Sequence, residues 1–308
     1  MKNTKNKLND LIIKQQQYSN IFYNSNELDE KNKLEILKSL CLSLHNEVSL
    51  ISNSIDYKTI TKNNIKLDED NLIYHTVDSL RYIFAILNLY NINAEEFEKS
   101  YLEKDIALNI EANIKEPNKN DKIVIVDIDD VLCEFKDHFN NWLEKQYNIK
   151  INKNSDSYYT TKELIEISVN PESAFELYIK SNQLLEIGVI QHAKSMLQTL
   201  KDKGYYIYLL TSRPKNNARC KYQTYSWLKN NEILFDNIDF APEKYLWLSK
   251  QDFYINNQIH FAIDDSAKHA MEYATHGLKC YVPLAPHNKN LNHSLIEHFN
   301  IENYNIVF

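Results

Sequence analysis

Two carboxylates follow a short apolar segment near the middle of the chain. Ile123 to Val126 are consecutive apolar residues that predict a strand buried on both faces of a parallel sheet, and Asp127 and Asp129 come directly after them. A buried carboxylate costs several kcal/mol unless it is paired or bound to a cation. Open α/β sheets bind their ligands at the carboxyl ends of the strands. The two acids therefore predict a functional site at that edge of a sheet.

Other polar side chains occupy comparable positions in the second half of the chain. Each ends a predicted strand or opens the helix that follows one: Thr211, Lys244 and the adjacent acids Asp264 and Asp265. In a parallel sheet these positions converge on one edge. Carboxylates can approach an anionic phosphate ester only when a divalent cation neutralises them. The set therefore predicts phosphoryl transfer.

The chemistry assigns a role to each group. Mg²⁺ would bind Asp127, the backbone carbonyl of Asp129, and Asp264. Asp127 is placed as the in-line nucleophile that forms an aspartyl-phosphate, and Asp129 as the general acid and base. Thr211 and Lys244 would bind the phosphoryl oxygens.

The loop after the second predicted strand contributes two further candidates. Ser212 and Arg213 follow Thr211 directly, and we expect them to bind phosphate or substrate. Arg213 has an alternative role as an anchor of the loop. Lys250 is a second candidate for the phosphate-binding lysine, although it lies in the middle of the predicted helix and would be a solvated surface group.

These motifs resemble those of the haloacid dehalogenase (HAD) superfamily of phosphatases over residues 122 to about 290. The segments Asp127-Ile-Asp-Asp-Val-Leu132, Leu210-Thr-Ser-Arg-Pro214, Thr224-Tyr-Ser-Trp-Leu228 and Ile263-Asp-Asp-Ser266 look like the 5′(3′)-deoxyribonucleotidase branch. The resemblance implies a Mg²⁺-dependent nucleoside monophosphate phosphatase. It also implies cap aromatic residues that stack on the base. The candidates, which could equally form the core of the cap, are Phe135, Phe139, Trp142, Tyr158 and Tyr159.

Strands and helices alternate after residue 121, which predicts an α/β fold, a Rossmann-like core with a parallel sheet, in a domain spanning 122–308. Predicted strands cover 122–126, 205–210, 237–240, 259–263 and 279–282. Predicted helices cover 190–203, 217–230, 242–254 and 266–276, with Gly204 and Gly277 as C-terminal caps. The long interval after the first strand predicts a helical cap insertion at about 133–189.

The preceding part of the chain contains no Gly and no Pro before Pro117, which favours long helices. Apolar residues at three- and four-residue intervals predict an all-α bundle over 1–115, followed by a linker at 116–121. This part resembles the all-α pyrophosphohydrolases of the MazG and dimeric dUTPase type, in segments that include Asp56-Tyr-Lys58. Glu47 and Asp78 match two of that family's four Mg²⁺ ligands, whereas Leu50 and His75 replace the other two. The resemblance therefore implies a degenerate copy.

Composition limits the partners. A net charge of −7 argues against a nucleic-acid scaffold, and every apolar run is too short to span a bilayer. We expect a cytoplasmic protein without a signal peptide, with four cysteines as free buried thiols. Its partner would be a nucleotide substrate, and the wide apolar faces of the N-terminal helices leave homo-oligomerisation open. The alternative functions are a polynucleotide 3′-phosphatase, a bifunctional pyrophosphohydrolase and phosphatase, and a non-catalytic nucleotide-binding module.

Overall fold

The computed structural model describes residues 5–54, 67–152 and 161–300. By its internal contacts the chain divides into two compact units, Met1–Leu102 and Glu103–Phe308. The division falls inside a helix and precedes the linker predicted at 116–121. Asp56, Lys58, Tyr158 and Tyr159, which the sequence singles out, lie outside the described residues.

The described part of the first unit is helical. Its helices are α1 (Lys5–Ser19), α2 (Glu30–Asn53), α3 (Glu69–Leu89) and the start of α4 (Ala94–Asn113), which continues into the second unit. Asp29 and Asp68 cap α2 and α3 through side-chain bonds to the backbone amides of Asn32 and Asn71. α3 packs against both α1 and α2. The all-α prediction is confirmed, but α1 was missed because its polar sequence gives no clear apolar face.

The second unit is built on a parallel six-stranded sheet in the order β3-β2-β1-β4-β5-β6. The strands are β1 (Lys122–Val126), β2 (Tyr205–Thr211), β3 (Asn237–Phe240), β4 (Ile259–Ile263), β5 (Cys280–Pro283) and β6 (Ile296–Phe299). The α/β fold with its parallel sheet is therefore confirmed, and β6 extends it beyond the strands predicted. The direction of strand order reverses between β1 and β4, the position where such sheets bind ligands.

Alternation along β1 shows why the apolar run is buried on both faces. Val124 and Val126 contribute to one core, and Ile123 and Ile125 contribute to the other. A strand directs successive side chains to opposite faces, so helices must cover both sides of the sheet.

The helices that cover the sheet are α8 (Ala193–Asp202), α9 (Ala218–Asn230), α10 (Lys244–Leu248), α11 (Asp252–Ile255) and α12 (Ala267–Thr275). Gly204 and Gly277 follow α8 and α12 with φ of +78° and +85°, as predicted for C-terminal caps. The single helix predicted over 242–254 is wrong, because extended backbone at Gln251 separates α10 from α11. Leu248 and Phe253 are both buried, and five residues of continuous helix would direct them to different faces.

A helical insertion lies between β1 and α8. It contains α5 (Phe135–Tyr147), α6 (Thr161–Glu166), α7 (Pro171–Lys180) and a 3₁₀ turn at Gln183–Glu186. The chain enters and leaves the insertion side by side, since the Glu134 amide donates to the Gly188 carbonyl at 3.0 Å. The helical cap over the strand ends is thereby confirmed as a feature of the fold.

Two further features of the chain are the burial of its cysteines and the apolar character of its helices. All four cysteines are free, but only Cys133, Cys220 and Cys280 are buried. The prediction of burial is wrong for Cys41, which lies on α2, a helix without any buried residue. Among the described residues, no helix combines the length and the apolar character that crossing a bilayer requires.

Candidate active site

Three carboxylates meet where β1 and β4 end. Asp127 follows β1, and its amide donates to the carbonyl of Ile263, the last residue of β4. Asp264 and Asp265 follow β4 directly. Each of the three acids places a carboxylate oxygen within 4.8 Å of the others, and all three side chains are buried. The parallel pairing of β1 with β4 therefore builds the acidic cluster that the sequence predicts for this edge.

Lys244 supplies the positive charge inside the cluster. Its Nζ lies 2.8 Å from Asp127 Oδ1 and 2.8 Å from Asp264 Oδ2, and the side chain is completely buried. Burial disfavours the ammonium ion, but the two carboxylates outweigh it and raise the pKa of Lys244. Lys250 is exposed in the turn between α10 and α11. The structure thus places Lys244, and not Lys250, against the carboxylates.

The cluster holds more negative than positive charge. Burial raises the pKa of Asp127, Lys244 partly offsets that rise, and the neighbouring charges of Asp264 and Asp265 raise it again, so the pKa lies well above its usual range. The pKa of Asp265 is raised in the same way, first by burial and then by Asp264. Three buried oxygen ligands with uncompensated charge are what a small, hard divalent cation requires. The donor set therefore fits Mg²⁺.

Asp129 turns away from this cluster and pairs with Arg213. Arg213 donates from Nη2 to Asp129 Oδ1 at 2.6 Å and from Nε to Oδ2 at 3.1 Å, which is the two-pronged geometry of a guanidinium on a carboxylate. Nη1 donates to the hydroxyl of Thr224 at 2.9 Å. Burial opposes the charge of Arg213, but Asp129 outweighs burial and raises its pKa. The guanidinium is thus held by protein groups, in agreement with the anchoring role left open above.

Thr211 and Ser212 lie at the end of β2, beside the cluster. Thr211 is fully buried, and its Oγ1 accepts a hydrogen bond from the amide of Arg213 at 3.2 Å. Ser212 Oγ lies 3.1 Å from Nε2 of His269, a residue in the first turn of α12. Ser266 caps that helix through the amide of His269. The end of β2 and the start of α12 therefore meet at the site.

Sequence reasoning missed two histidines of this site. His269 is buried, and burial lowers its pKa more than Asp264 raises it. His287 follows β5, and its Nε2 lies 3.1 Å from Asp265 Oδ2. The adjacency of Asp264 and Asp265 signalled the acid, but no motif marked either histidine. His287 comes from a loop whose position at the same sheet edge depends on β5.

A cavity of about 550 Å³ opens above the carboxylates. Its floor includes Asp127, Asp129 and Asp265, and its cap wall includes Phe135 and Phe139. These two rings stack with centroids 5.6 Å apart. Trp142 stacks on Phe139 and packs within the cap, and it does not line the cavity. A single cavity therefore joins the acids to an aromatic wall.

Glu47 and Asp78 have separate partners in the first unit. Glu47 Oε2 lies 2.8 Å from Nδ1 of His75, which joins α2 to α3. Asp78 lies 3.8 Å from Arg81 on its own helix. Among the described residues, the only grouping of three or more candidate metal ligands is that of Asp127, Asp264 and Asp265.

Comparison with known proteins places these motifs in a family. A sequence profile described as 5′ nucleotidase, deoxy (Pyrimidine), cytosolic type C protein matches residues 121–291, more than half of the chain. The chain belongs to this family. As a member of a nucleotidase family, it is a phosphoric monoester hydrolase. The matched residues include every motif of the carboxylate site and none of α1 to α4.

Solved structures with a similar arrangement were also found. A haloacid dehalogenase-like family hydrolase from Streptococcus pneumoniae is 16% identical, with 60% of this chain and 96% of that chain covered and a TM-score of 0.43. A predicted phosphatase from Clostridium acetobutylicum is 14% identical, with 59% and 95% covered and a TM-score of 0.43. A HAD family hydrolase from Deinococcus radiodurans, solved with phosphate and sodium, is 14% identical, with 57% and 85% covered and a TM-score of 0.39. No curated protein matches this chain.

Proposed function

We propose that the protein is a Mg²⁺-dependent phosphatase that hydrolyses a nucleoside monophosphate through an aspartyl-phosphate intermediate. The observation that carries the proposal is the buried cluster of Asp127, Asp264 and Asp265 around Lys244, at the floor of a cavity with an aromatic wall. With Mg²⁺ bound, the cluster would suit the phosphate of the substrate, and the aromatic wall would suit its base. The description of the family supports a pyrimidine deoxynucleotide as the substrate.

Asp127 is oriented for attack on phosphorus. Its Oδ1 accepts from the amide of Ile128 at 2.7 Å and from Lys244, whereas Oδ2 has no hydrogen bond among the described residues. Oδ2 is therefore the oxygen that would form the bond to phosphorus while the ester P–O bond breaks. Mg²⁺, held by Asp127, Asp264 and the backbone carbonyl of Asp129, would neutralise the charge that accumulates as the phosphate enters. Lys244 and the backbone after Thr211 would hold the phosphoryl oxygens.

Asp129 completes both half-reactions. It would give its proton to the leaving oxygen of the nucleoside and then take a proton from the water that attacks the aspartyl-phosphate. The second step breaks the bond between Asp127 and phosphorus and releases inorganic phosphate. Arg213 fixes the direction of the Asp129 carboxylate through two hydrogen bonds. We therefore propose Arg213 as a positioning residue and leave Ser212 as the phosphate contact of this loop.

A phosphate-release screen tests the proposal. Purified protein with Mg²⁺ would be assayed on nucleoside monophosphates, nucleoside triphosphates and a single-stranded oligonucleotide with a 3′-phosphate. We expect release from monophosphates, with loss on addition of EDTA and in Asp127→Asn. Release from the oligonucleotide alone would favour a polynucleotide 3′-phosphatase, and release from no substrate would refute the proposal. Self-association through the N-terminal helices, the MazG-like origin of those helices and a cytoplasmic location stay predictions.

A further inference from the structure

One face of α5 lines the cavity above the carboxylates. Phe135, Lys136, Phe139 and Asn140 recur at helical spacing and all border that space. Phe135 and Phe139 present their rings, and Phe175 from α7 meets both rings edge-on. The cap therefore offers the cavity an apolar surface of aromatic rings, against which a further aromatic ring can pack.

Asn140 differs from the aromatic residues on this face, because its side chain is a buried polar amide. Its side chain is only 2% exposed, and Nδ2 has no hydrogen-bond partner among the residues that the structure describes. Its buried neighbours along the cap, Leu143 and Leu164, belong to an apolar cluster. Burying an amide N–H without a partner destabilises a fold, and such groups in proteins call for an explanation.

The position does not demand an amide for packing. Leucine has the same branching and the same number of side-chain heavy atoms, and it would contact the same apolar neighbours without an unpaired donor. The groups suited to phosphate lie on the strand ends of the core, whereas Asn140 lies on the cap. A buried donor without a partner among the described residues, in a side chain that borders a cavity, is therefore best explained by a ligand group that arrives with the substrate.

We propose that Asn140 is the residue that recognises the base of the substrate, by donating from Nδ2 to a carbonyl oxygen of the ring. This proposal rests on the proposed function, since it requires a nucleotide in the cavity. A pyrimidine base placed against Phe135 and Phe139 would present ring carbonyls at its edge, and one of them would satisfy the amide. Asn140 then determines specificity without taking part in the chemistry at Asp127.

The test compares two substrates that differ only in the base. 2′-Deoxyuridine 5′-monophosphate carries the base, and 2-deoxyribose 5-phosphate carries the same sugar and phosphate without it. We expect Asn140→Leu and Asn140→Asp to lower kcat/KM for the nucleotide by about tenfold, as the loss of one buried hydrogen bond predicts. Neither variant should change kcat/KM for the sugar phosphate. Asn141→Leu, at the exposed neighbouring position, is the matched control.

Thermal unfolding separates recognition from packing. Because Leu removes an unpaired polar group, Asn140→Leu should keep or raise Tm while it weakens hydrolysis of the nucleotide. An equal loss on both substrates, or a lower Tm, would show that Asn140 supports the cap and would overturn the inference. Unchanged hydrolysis of the nucleotide by Asn140→Leu would overturn it too, with the proposed function intact. If the wild-type protein cleaves the sugar phosphate but not the nucleotide, the proposed function itself fails, and the inference fails with it.

Discussion

Acidic side chains are used differently in the two units of this chain. In the second unit, Asp127, Asp264 and Asp265 are buried together, and Lys244 is the cation between them. In the first unit, Glu47 contacts His75 across two helices and Asp78 contacts Arg81 on its own helix. The first arrangement leaves charge uncompensated, and the second gives each carboxylate a local partner.

The difference shows what makes a group of acids a cation site. Buried carboxylates that outnumber their cations raise one another's pKa and leave their charge uncompensated until a metal ion binds. Carboxylates that are partly exposed and individually paired gain little from a metal ion. Matched substitutions in the two units can therefore test the comparison.

The largest effect is expected from Asp127→Asn. The amide cannot attack phosphorus, so kcat should fall by about 10⁴-fold or more, as for other nucleophile knockouts. The free energy of unfolding should stay equal or rise, because the change removes one negative charge from a cluster that holds an excess. Steady-state phosphate release and thermal unfolding measure the two effects. Asp78→Asn in the first unit is the control. Equal losses of activity in both variants would contradict the claim that the acids of the two units are used differently.

A smaller effect is expected from Arg213→Gln. Without the two-pronged contact, Asp129 loses its fixed direction, so kcat should fall by about 10²-fold while KM changes little. Arg213→Lys should recover only part of the loss, because a lysine keeps the charge but not the fork geometry. Arg219→Gln, which removes a guanidinium that donates to the backbone carbonyl of Lys180 in an exposed contact, is the matched control. A raised KM with kcat preserved would instead make Arg213 a phosphate ligand.

Mg²⁺ should stabilise the protein more at high pH than at low pH. The pKa values of Asp127 and Asp265 are raised in the folded state, so the folded protein binds protons more tightly than the unfolded chain does. Stability without metal must then fall as the pH rises from about 4 through the raised values. Mg²⁺ competes with those protons, and at about 100 times its Kd it would add about 2.7 kcal/mol, or a rise in Tm of about 5 °C.

Differential scanning calorimetry at pH 5 and pH 8, with Mg²⁺ or EDTA, measures that difference. The gain from Mg²⁺ should be largest at pH 8 and absent in Asp127→Asn. A gain of the same size at both pH values, or one that survives the substitution, would place the cation elsewhere.

Much of the site could be predicted from the sequence, because its groups follow strands. Asp127, Thr211 and Asp264 each stand at the end of an apolar run that fits a buried parallel strand, and parallel strands end at one edge. Lys244 follows by position, at the start of the helix after β3. The strand order itself, and β6, depend on pairing between segments far apart in the sequence, which no local pattern encodes.

Other features depend on packing and escaped prediction. The contact of Arg213 with Asp129 joins residues that lie 84 positions apart, so its anchoring role could be named only as an alternative. His287 reaches Asp265 from a loop without a motif. The break between α10 and α11 follows from two buried side chains that cannot share one helix face. Asn140 stood out only when its burial and its missing partner were known.

The smallest effect is expected from Glu47→Gln in the first unit. Replacing Glu47 with Gln weakens a contact between α2 and α3 that is partly exposed to solvent, so the first unit should lose less than about 1 kcal/mol of stability. Phosphatase activity should not change, and Mg²⁺ should leave the stability difference between Glu47→Gln and the wild type unaltered. Glu35→Gln, from an exposed pair with Lys38 on the same helix, should cost still less and is the matched control.

Calorimetry of both variants, with and without Mg²⁺, decides how the first unit uses this acid. A stability loss that appears only with Mg²⁺ would mean that Glu47 binds the cation after all. Pyrophosphate release from a deoxynucleoside triphosphate that disappears in Glu47→Gln would point the same way. In that case the contact with His75 would not prevent Glu47 from binding a metal ion. Local pairing of a carboxylate would then not be enough to exclude a metal site. A small loss that Mg²⁺ does not alter would support the opposite rule, that an acid satisfied by a neighbouring side chain serves packing.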